Sequence, residues 1–466
     1  MCNEAKIKVI GAGLAGCEAA YAAARLGVKV ELYEMKPHKY SPAHHTNGYA
    51  ELVCSNSLRS NDTSNAVGLL KAELSSLGSI IMEAAYATEV PAGSALAVNR
   101  DLFSEFITEK IKNHPNITVI EGEVTEIPQE GICVIASGPL TSEALAESIS
   151  AYTGGGELHF FDAAAPIVDF STVNTEVAFF ASRWGKGNPE DYLNCPMTKE
   201  QYDVFYNELI NAKAASLKAF DKELQEDLTV FEGCMPVEIM ASRGYDTLRF
   251  GPMKPVGLPD PRTGEDAFAT VQLRRENKEG TMYNIVGFQT HLTFGEQKRV
   301  FGLIPGLQNA VYFRYGVMHR NTYMNSPNLL TNIYSMREYP NLFFAGQMTG
   351  VEGYIESTSS GYVAGVNAAR LALGDEYITF PKETEIGALA NYVSEGGISS
   401  SFQPMNANFG IIAPFDKKVK GGKRNRNEAY AVRSIEIIKN DFGFLCVNNE
   451  NSRCKCGQLI LEVSAF

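Results

Sequence analysis

The chain has 466 residues, 45% of them apolar and 20% charged, with a formal net charge of −13. This balance is typical of a folded globular protein. No apolar run approaches the roughly 20 residues that a transmembrane helix needs, so no membrane association is expected. Nine cysteines spread over this length do not predict a disulfide framework. Because the N-terminus also lacks the layout of a signal peptide, we expect a cytoplasmic protein with reduced thiols.

The first predicted element is a strand–turn–helix–strand unit in residues 6–34, with the sequence KIKVIGAGLAGCEAAYAAARLGVKVELYE. Its GxGxxG turn allows a tight bend, close approach of a pyrophosphate and close packing of helix on strand. The helix N-terminus faces the phosphates, and an acid at the end of the second strand accepts hydrogen bonds from ribose. We therefore predict a dinucleotide site made of Gly11, Ala12, Gly13, Leu14, Ala15, Gly16 and Glu34.

Cys54 follows in a loop-rich polar segment, ahead of a helix predicted from Ala66 to Leu77. The spacing of apolar residues in NRDLFSEFITEKIKNHP predicts an amphipathic helix. The adjacent His44 and His45 lack a third ligand at the usual spacing, so no metal site is predicted.

The middle of the chain loses the alternation of strands and helices, and a second glycine-rich unit follows it. We predict an α/β fold, in which residues 1–165 and 330–440 form a Rossmann-like FAD-binding domain of the glutathione-reductase type. Residues 166–329 form an inserted α+β substrate domain. The late strand, turn and helix bring a second helix N-terminus to the flavin, whose reduced form a helix dipole stabilises. From this unit we expect cofactor contacts by Gly346, Gln347, Gly353 and Gly361.

The end of the chain carries a basic strip from Lys417 to Arg426, with six Lys or Arg residues in ten positions. Such a strip is either a solvated charge run or a contact for RNA phosphates, and the sequence leaves both open. Residues 441–466 are predicted to be a C-terminal extension of unassigned role.

Motifs from about Ile7 to about Ala431 resemble one family, the folate- and FAD-dependent tRNA (uracil-5-)-methyltransferases TrmFO, which are related to the GidA flavoproteins. The motifs are GAGLAG with Glu34, AELVCSNSLR, NAVGLLKAEL, PAGSALAVNRD, FEGCMPVE, DTLRFGPMKPVGL, YNIVGFQTHL, RYGVMHRNTY and AGQMTGVEGYIES. STSSG at Ser357–Gly361 departs from the alanine-containing form that is usual in the family, and the chain after about Lys439 goes beyond the pattern.

The resemblance implies methylation of carbon 5 of a uridine in the T-loop of tRNA, which forms ribothymidine. Methylenetetrahydrofolate supplies the one-carbon unit, and FAD reduced by NADH or NADPH supplies the hydride equivalents. A related branch modifies ribosomal RNA, and the sequence does not choose between the two targets. Two other hypotheses compete with this one. A GidA-type enzyme would act on the wobble uridine with a GTPase partner, but such chains are much longer and carry a C-terminal helical domain. A flavin-bound RNA-binding module without chemistry would not need the intact motifs around Cys54 and Cys234.

Carbon 5 of uracil is a poor nucleophile, so the reaction needs a thiolate that adds to carbon 6 and a group that removes the carbon-5 proton. Cys54 and Cys234, each in a polar motif, are the predicted catalytic residues, and which of them is the nucleophile stays open. The resemblance places Cys54 by the flavin and Cys234 in the substrate region. It also implies that His319 stacks on the pterin of the folate.

Further residues are predicted to bind the charged groups of the substrates or to line the pocket for the base. Five cationic side chains are predicted to hold the folate glutamate or RNA phosphates: Arg243, Arg249, Lys254, Arg314 and Arg320. A base drawn out of its stack needs aromatic walls, and the residues predicted for them are Tyr283, Phe288 and Tyr315.

Overall fold

The structure is a computed structural model that describes residues 5–41, 43–154, 157–163, 165–215, 235–277, 280–316, 318–395, 402, 404–417 and 419–446. At 157–163, 189 and 318–322 the description covers the backbone alone. Within these ranges, none of the helices combines the length and the apolar character needed to span a bilayer.

The helices are, in chain order, α1 (Leu14–Arg25), α2 (Ala66–Ser76), α3 (Ile80–Ala87), α4 (Arg100–Lys112), α5 (Glu143–Thr153), α6 (Lys199–Ile210), α7 (Val237–Ser242), α8 (Thr247–Phe250), α9 (Phe294–Phe301), α10 (Ser326–Leu329), α11 (Tyr354–Leu373), α12 (Glu385–Glu395) and α13 (Gly422–Phe442). The predicted helix from Ala66 is therefore confirmed as α2, and the predicted amphipathic helix is α4.

The strands are β1 (Lys6–Ile10), β2 (Lys29–Glu34), β3 (Ser57–Ser60), β4 (Glu89–Val90), β5 (Ala95–Val98), β6 (Ile117–Glu121), β7 (Ile132–Ile135), β8 (Glu157–Ala163), β9 (Ile167–Asp169), β10 (Phe179–Phe180), β11 (Tyr192–Met197), β12 (Ala269–Arg275), β13 (Met282–Ile285), β14 (Tyr312–Arg314), β15 (Met318–Met324) and β16 (Leu342–Phe344).

Two sheets organise the molecule. The first is parallel, in the order β16-β7-β1-β2-β6. Its apolar strands are covered by helices, as is typical of α/β folds. The second is antiparallel, in the order β10-β11-β12-β13-β9-β14, and lies entirely in the middle of the chain. Each sheet has its own apolar core. This architecture agrees with the predicted fold class, whereas the exact domain boundaries at 165, 329 and 440 stay predictions.

Helices α1 and α11 pack backbone against backbone. A Cβ atom on Gly361 would lie 2.2 Å from the carbonyl oxygen of Ala15, and one on Gly365 would lie 2.4 Å from that of Ala19. No side chain fits at these two positions without displacing a helix. Since α1 follows β1 and α11 follows β16, both helices begin at the carboxyl edge of the parallel sheet.

We expect Gly365→Ala to destabilise the protein by about 1–3 kcal/mol, because the added methyl group overpacks the contact between α1 and α11. Urea unfolding measures the change. Gly295→Ala is the matched control, since Gly295 lies in α9 and a Cβ there meets no atom within 4 Å. Alanine also favours a helix over glycine, so this variant should be at least as stable as the wild type. Equal stability of the two variants would contradict the tight contact.

A buried carboxyl group links α1 to α3. Glu18 is fully buried in α1, and its Oε2 accepts hydrogen bonds from the hydroxyl of Ser79 (2.6 Å) and the backbone N–H of Ile81 (3.2 Å). Burial raises the pKa of Glu18 to about 7. The folded protein therefore binds this proton more tightly than the unfolded chain does.

An acid whose pKa is raised by folding stabilises the folded state below its unfolded pKa, and this contribution is lost as the pH rises through the folded pKa. We expect the stability of Glu18→Gln relative to the wild type to increase as the pH rises from 4.5 to about 7. The total gain should be about 3 kcal/mol. Urea unfolding at a series of pH values gives the difference between the two proteins. A difference that does not change with pH would show that Glu18 titrates normally.

Candidate functional site

A cleft opens at the carboxyl edge of the parallel sheet. Gly11, Ala12, Gly13 and Glu34 line it, together with residues that follow β6 and β7: Gly122, Glu123, Val124, Ser137, Leu140, Thr141, Ser142 and Leu145. Leu14, Ala15 and Gly16 form the start of α1 behind this lining. The predicted dinucleotide residues thus lie together at one edge of the sheet.

The three fingerprint glycines differ in what surrounds them. Gly11 has φ +97°, and a Cβ there would lie 2.7 Å from the carbonyl oxygen of Ala136. A Cβ on Gly16 would lie 1.8 Å from the carbonyl oxygen of Gly11, so this glycine packs α1 against its own turn. A Cβ on Gly13 would meet no atom within 4 Å. Gly13 therefore leaves open space at the N-terminus of α1, as a bound pyrophosphate requires.

Glu34 is 7% exposed, and the protein's own backbone already binds its carboxylate. Oε2 accepts from the N–H of Ala12 at 2.8 Å, and Oε1 accepts from the N–H of Lys36 at 3.0 Å. Each carboxylate oxygen has a further acceptor site, so Glu34 fits a ribose hydroxyl as well. The bond to Ala12, which ties the turn to β2, was not predicted from the sequence.

The second glycine-rich unit lies beside the first. Gly346 has φ +87°, its N–H donates to the Ser360 hydroxyl at 2.7 Å, and a Cβ there would lie 3.3 Å from that of Ala15. Gln347 lies in the turn after Gly346, and Gly353 (φ +118°) immediately precedes α11. Gly361 lies farther along α11, in the contact with α1. That these four residues contact a cofactor stays a prediction.

Cys54 is half-buried at the N-terminus of α11, next to the first residue of that helix, Tyr354. The thiol Sγ lies 2.9 Å from the Tyr354 hydroxyl, which also accepts hydrogen bonds from the N–H groups of Cys54 (2.9 Å) and Ser55 (3.4 Å). With these acceptor sites in use, the hydroxyl proton is free to point at the sulfur. Burial and, to a smaller extent, the neighbouring Cys54 raise the pKa of Tyr354 well above its ordinary value, so the phenol keeps this proton. A phenol donor and a helix N-terminus both favour a thiolate.

The inserted domain holds the Cys54 loop through β12. The guanidinium of Arg274 donates to the Ser55 hydroxyl and to the Asn56 side-chain oxygen, both at 3.0 Å. Asn56 is fully buried, and its amide donates to the carbonyl oxygen of Arg275 at 2.9 Å. The position of Cys54 therefore depends on both sheets.

A buried ion pair reinforces this junction. Arg100, the first residue of α4, donates to Glu276 at 2.7 Å and to the carbonyl oxygen of Leu52 at 2.7 Å. The side chain of Glu276 is 2% exposed. An unpaired charge at this depth is costly, so the two side chains stay together. The pair thereby links the loop before Cys54 to the residue that follows β12.

Arg314, at the end of β14, is a second cation in this region. Its Nε and Nη2 atoms are buried and have no hydrogen-bond partner within the described part of the chain. Burial and, to a smaller extent, the charge of Arg100 lower the pKa of Arg314 to about 10. Glu276, Tyr354 and Cys54 raise this pKa and partly oppose the shift. Arg314 thus stays charged at neutral pH and can donate to an anionic group near Cys54.

The structure describes little of the two other predicted functional residues, Cys234 and His319. Cys234 lies outside the described residues. The backbone of His319 lies in β15 opposite Asp162 of β8, and its side chain is outside the description. Their roles stay predictions.

The prediction that Tyr283 and Phe288 form aromatic walls is wrong. They are 1% and 0% exposed, because both rings belong to the core of the antiparallel sheet. Tyr315, in contrast, stacks between Tyr312 and Phe294, with ring centroids 4.9 and 4.7 Å apart. The basic strip is exposed at the start of α13 wherever it is described, and its contact with RNA stays a prediction.

Sequence reasoning missed Tyr354, Arg100, Arg274 and Glu276. Tyr354 had a local signal, since it follows Gly353 at a helix start inside the GVEGYIES motif. The others carry no local signal, because their partners lie far away along the chain.

Comparisons with known proteins agree with this arrangement. The family described as Glucose inhibited division protein A matches residues 6–376. A protein from Acetivibrio thermocellus named methylenetetrahydrofolate–tRNA-(uracil-5-)-methyltransferase TrmFO is 60% identical over 433 residues, which are 93% of this chain and 98% of that protein. A protein of the same name from Natranaerobius thermophilus is 58% identical over 434 residues, with the same two coverages.

Solved structures show the same fold. GidA from Aquifex aeolicus, in its form II crystal, has a TM-score of 0.68 at 17% identity and covers 98% of this chain and 76% of that one. The form I crystal of the same protein has a TM-score of 0.68 at 18% identity and covers 99% of this chain and 79% of that one. Together with the parallel sheet, these likenesses confirm the predicted α/β fold class.

We expect Arg314→Met to slow the alkylation of Cys54 by iodoacetamide at pH 7 on the order of tenfold, because loss of the nearby cation disfavours the reactive thiolate. Mass spectrometry of the peptide that carries Cys54 measures the rate. Arg314→Lys keeps the positive charge and should retain most of the wild-type alkylation rate. Arg299→Met removes a cation from an exposed surface cluster with Glu296 and is the control. Equal rates in all variants would show that Arg314 does not act on the thiol.

Proposed function

The chain belongs to the TrmFO family of methylenetetrahydrofolate–tRNA-(uracil-5-)-methyltransferases, and from this premise we propose that it methylates carbon 5 of a uridine in tRNA. The observation that carries the proposal is the 60% identity over 98% of a relative with that name. The Cys54–Tyr354 site fits the chemistry, since the reaction needs an activated thiol. We place the uridine in the T-loop, with ribothymidine as the product, and the reaction in the cytoplasm, where tRNA and reduced thiols occur together.

FAD fits the cleft at the edge of the parallel sheet. Gly13 and the N-terminus of α1 would hold its pyrophosphate, and Glu34 would bind its ribose. Gly346, Gln347 and the N-terminus of α11 would lie at the far end of the dinucleotide, beside Cys54. When bound and reduced by NADH or NADPH, FAD supplies the hydride equivalents that convert a methylene group into a methyl group.

The chain's own residues act on the uracil. One thiolate adds to carbon 6, which makes carbon 5 nucleophilic toward the methylene group of the folate. A base then removes the carbon-5 proton as tetrahydrofolate leaves the methylene group, which takes up one hydride equivalent to become a methyl group, and the thiolate leaves carbon 6. Cys54 and Cys234 share these two tasks. Tyr354 holds a proton beside Cys54, Arg314 offers unpaired N–H groups to negative charge, and His319 would stack on the pterin.

The test is an assay with purified protein, NADPH, labelled methylenetetrahydrofolate and an unmodified tRNA transcript, followed by nucleoside analysis. We expect labelled ribothymidine from the wild type and none from Cys54→Ala or Cys234→Ala. Label on a ribosomal RNA fragment but not on tRNA would keep the chemistry and change the substrate. No transfer to either RNA by flavin-loaded protein would overturn the proposal.

We also predict that Gly13→Ala keeps the fold and loses flavin. Gly13 has φ −74° and ψ −172°, which alanine adopts readily, and its Cβ would occupy only the open space of the cleft. The ratio of flavin to protein absorbance after gel filtration should fall, while the melting temperature of the apoprotein stays that of the wild-type apoprotein. In Gly11→Ala the new Cβ would collide with Ala136, so both the flavin content and the melting temperature of the apoprotein should fall. Full flavin retention in Gly13→Ala would contradict this placement of the pyrophosphate.

A further inference from the structure

Trp184, the single tryptophan of the chain, is 63% exposed on the inserted domain. Its backbone has φ +60° and ψ 21°, a left-handed conformation that bulky residues rarely adopt. Neither the exposure of a large ring nor the unfavourable backbone is explained by packing of the core. Both features point to a role on the surface.

The indole ring is held in place from one side. A Cβ on Gly257 would lie 2.6 Å from the indole Cε2, so the ring packs directly against a backbone without a side chain. The backbone N–H of Trp184 donates to the carbonyl oxygen of Gly257 at 3.0 Å. The neighbouring Arg183 donates to the carbonyl oxygens of Val256 and Lys254. These contacts fix the ring and leave its other surface to solvent.

Positive charge belongs to the same surface, and an exposed aromatic ring follows nearby along the chain. Lys186 and Lys254 are exposed and form no ion pair with any residue that the structure describes. Phe250, shortly before Lys254, is 82% exposed. The groove beside Trp184 also contains Asp266, whose charge is opposed by that of Arg183. With Glu265, the exposed acid next to Asp266, included, the cations Arg183, Lys186 and Lys254 still outnumber the two acids by one, although the whole chain carries −13.

Strand β12 connects this surface to the Cys54 loop. Gln272 accepts a hydrogen bond from Arg183 at 3.1 Å, and Arg274 donates to Ser55 and Asn56 beside Cys54. Residues i and i+2 of a strand lie on one face, about 7 Å apart. Arg183, which precedes Trp184, and Ser55, which follows Cys54, thus bond to neighbouring positions on the same face of the antiparallel sheet.

We propose that Trp184 is a stacking platform for an unpaired base of the RNA substrate, adjacent to the base that reaches Cys54, and that Lys186 and Lys254 bind the phosphates around it. This inference rests on the proposed function for the identity of the RNA. Unpaired loop bases stack on exposed aromatic rings, and nearby cations bind the backbone. A flat ring flanked by lysines that form no ion pair among the described residues suits a base and its phosphates better than it suits an apolar protein surface.

The single tryptophan makes the test direct, because the intrinsic tryptophan fluorescence of the holoenzyme comes from Trp184 alone. We expect an unmodified tRNA transcript to quench this fluorescence in a saturable manner. A blunt RNA duplex without unpaired bases should quench it much less. Equal signals from both RNAs, or no quenching by tRNA at all, would overturn the stacking role.

Trp184→Gly separates binding from stability. Glycine tolerates the left-handed backbone, so this variant should melt at or above the wild-type temperature. Its Kd for tRNA should be weaker by roughly tenfold, the effect of losing one base–aromatic stack. The rate at saturating tRNA should be unchanged, so KM rises while kcat stays. Trp184→Tyr should bind nearly as the wild type does, and Phe444→Leu, at an exposed ring in the C-terminal part, is the control.

The outcomes distinguish this inference from the proposed function. Normal methylation with an unchanged Kd in Trp184→Gly would overturn the platform and leave the function standing. Quenching and weaker binding without any methyl transfer would support the platform and overturn the function. A large loss of melting temperature in Trp184→Gly would show that the ring serves the fold, and would also overturn the platform.

Discussion

The close contact between α1 and α11 is the constraint on which the site depends. Gly361 and Gly365 bring the backbone of α11 against Ala15 and Ala19 of α1, a separation that no larger residue permits. Each helix follows a strand of the parallel sheet, so this contact sets two helix N-termini side by side at one sheet edge. Their unpaired N–H groups and dipoles make that edge favourable for negative charge. The open space at Gly13 and the thiol of Cys54 both lie there, each at the start of one of the two helices.

Buried polar contacts then fix the thiol between the two sheets. Asn56 is fully buried and bonds to Arg274 and to the backbone of β12, and the Arg100–Glu276 pair spans the same junction. Buried polar groups cost free energy unless they are paired, so each contact requires the other domain to be in place. The exception is Arg314, two of whose guanidinium nitrogens have no hydrogen-bond partner among the described residues. A cation of this kind near the Cys54 thiol suits a site that receives negative charge only when substrate is bound.

The sequence predicted what is local. The glycine fingerprint, the α2 and α4 helices and the start of the late glycine-rich unit follow from periodicity and turn chemistry, which nearby residues determine. It did not predict Tyr354 against Cys54 or Arg274 against Ser55, because these contacts join residues 300 and 219 positions apart. Tyr283 and Phe288 were misassigned for a related reason. Aromatic residues in a polar-looking motif can face the core or the substrate, and only the pairing of strands decides which.

Strand β12 shows how one alternating pattern can serve both the fold and the site. Val271 and Leu273 point into the apolar core, whereas Gln272 and Arg274 point to the other face, where they bond to Arg183 and Ser55. Its pairing with β11, in which Leu273 lies opposite Leu193, fixes which residues face which way. A slip of one residue would turn the polar pair into the apolar core and remove the apolar pair from it, which the core does not allow. The burial energy of the inserted domain therefore also maintains the orientation of the residues that hold the reactive loop.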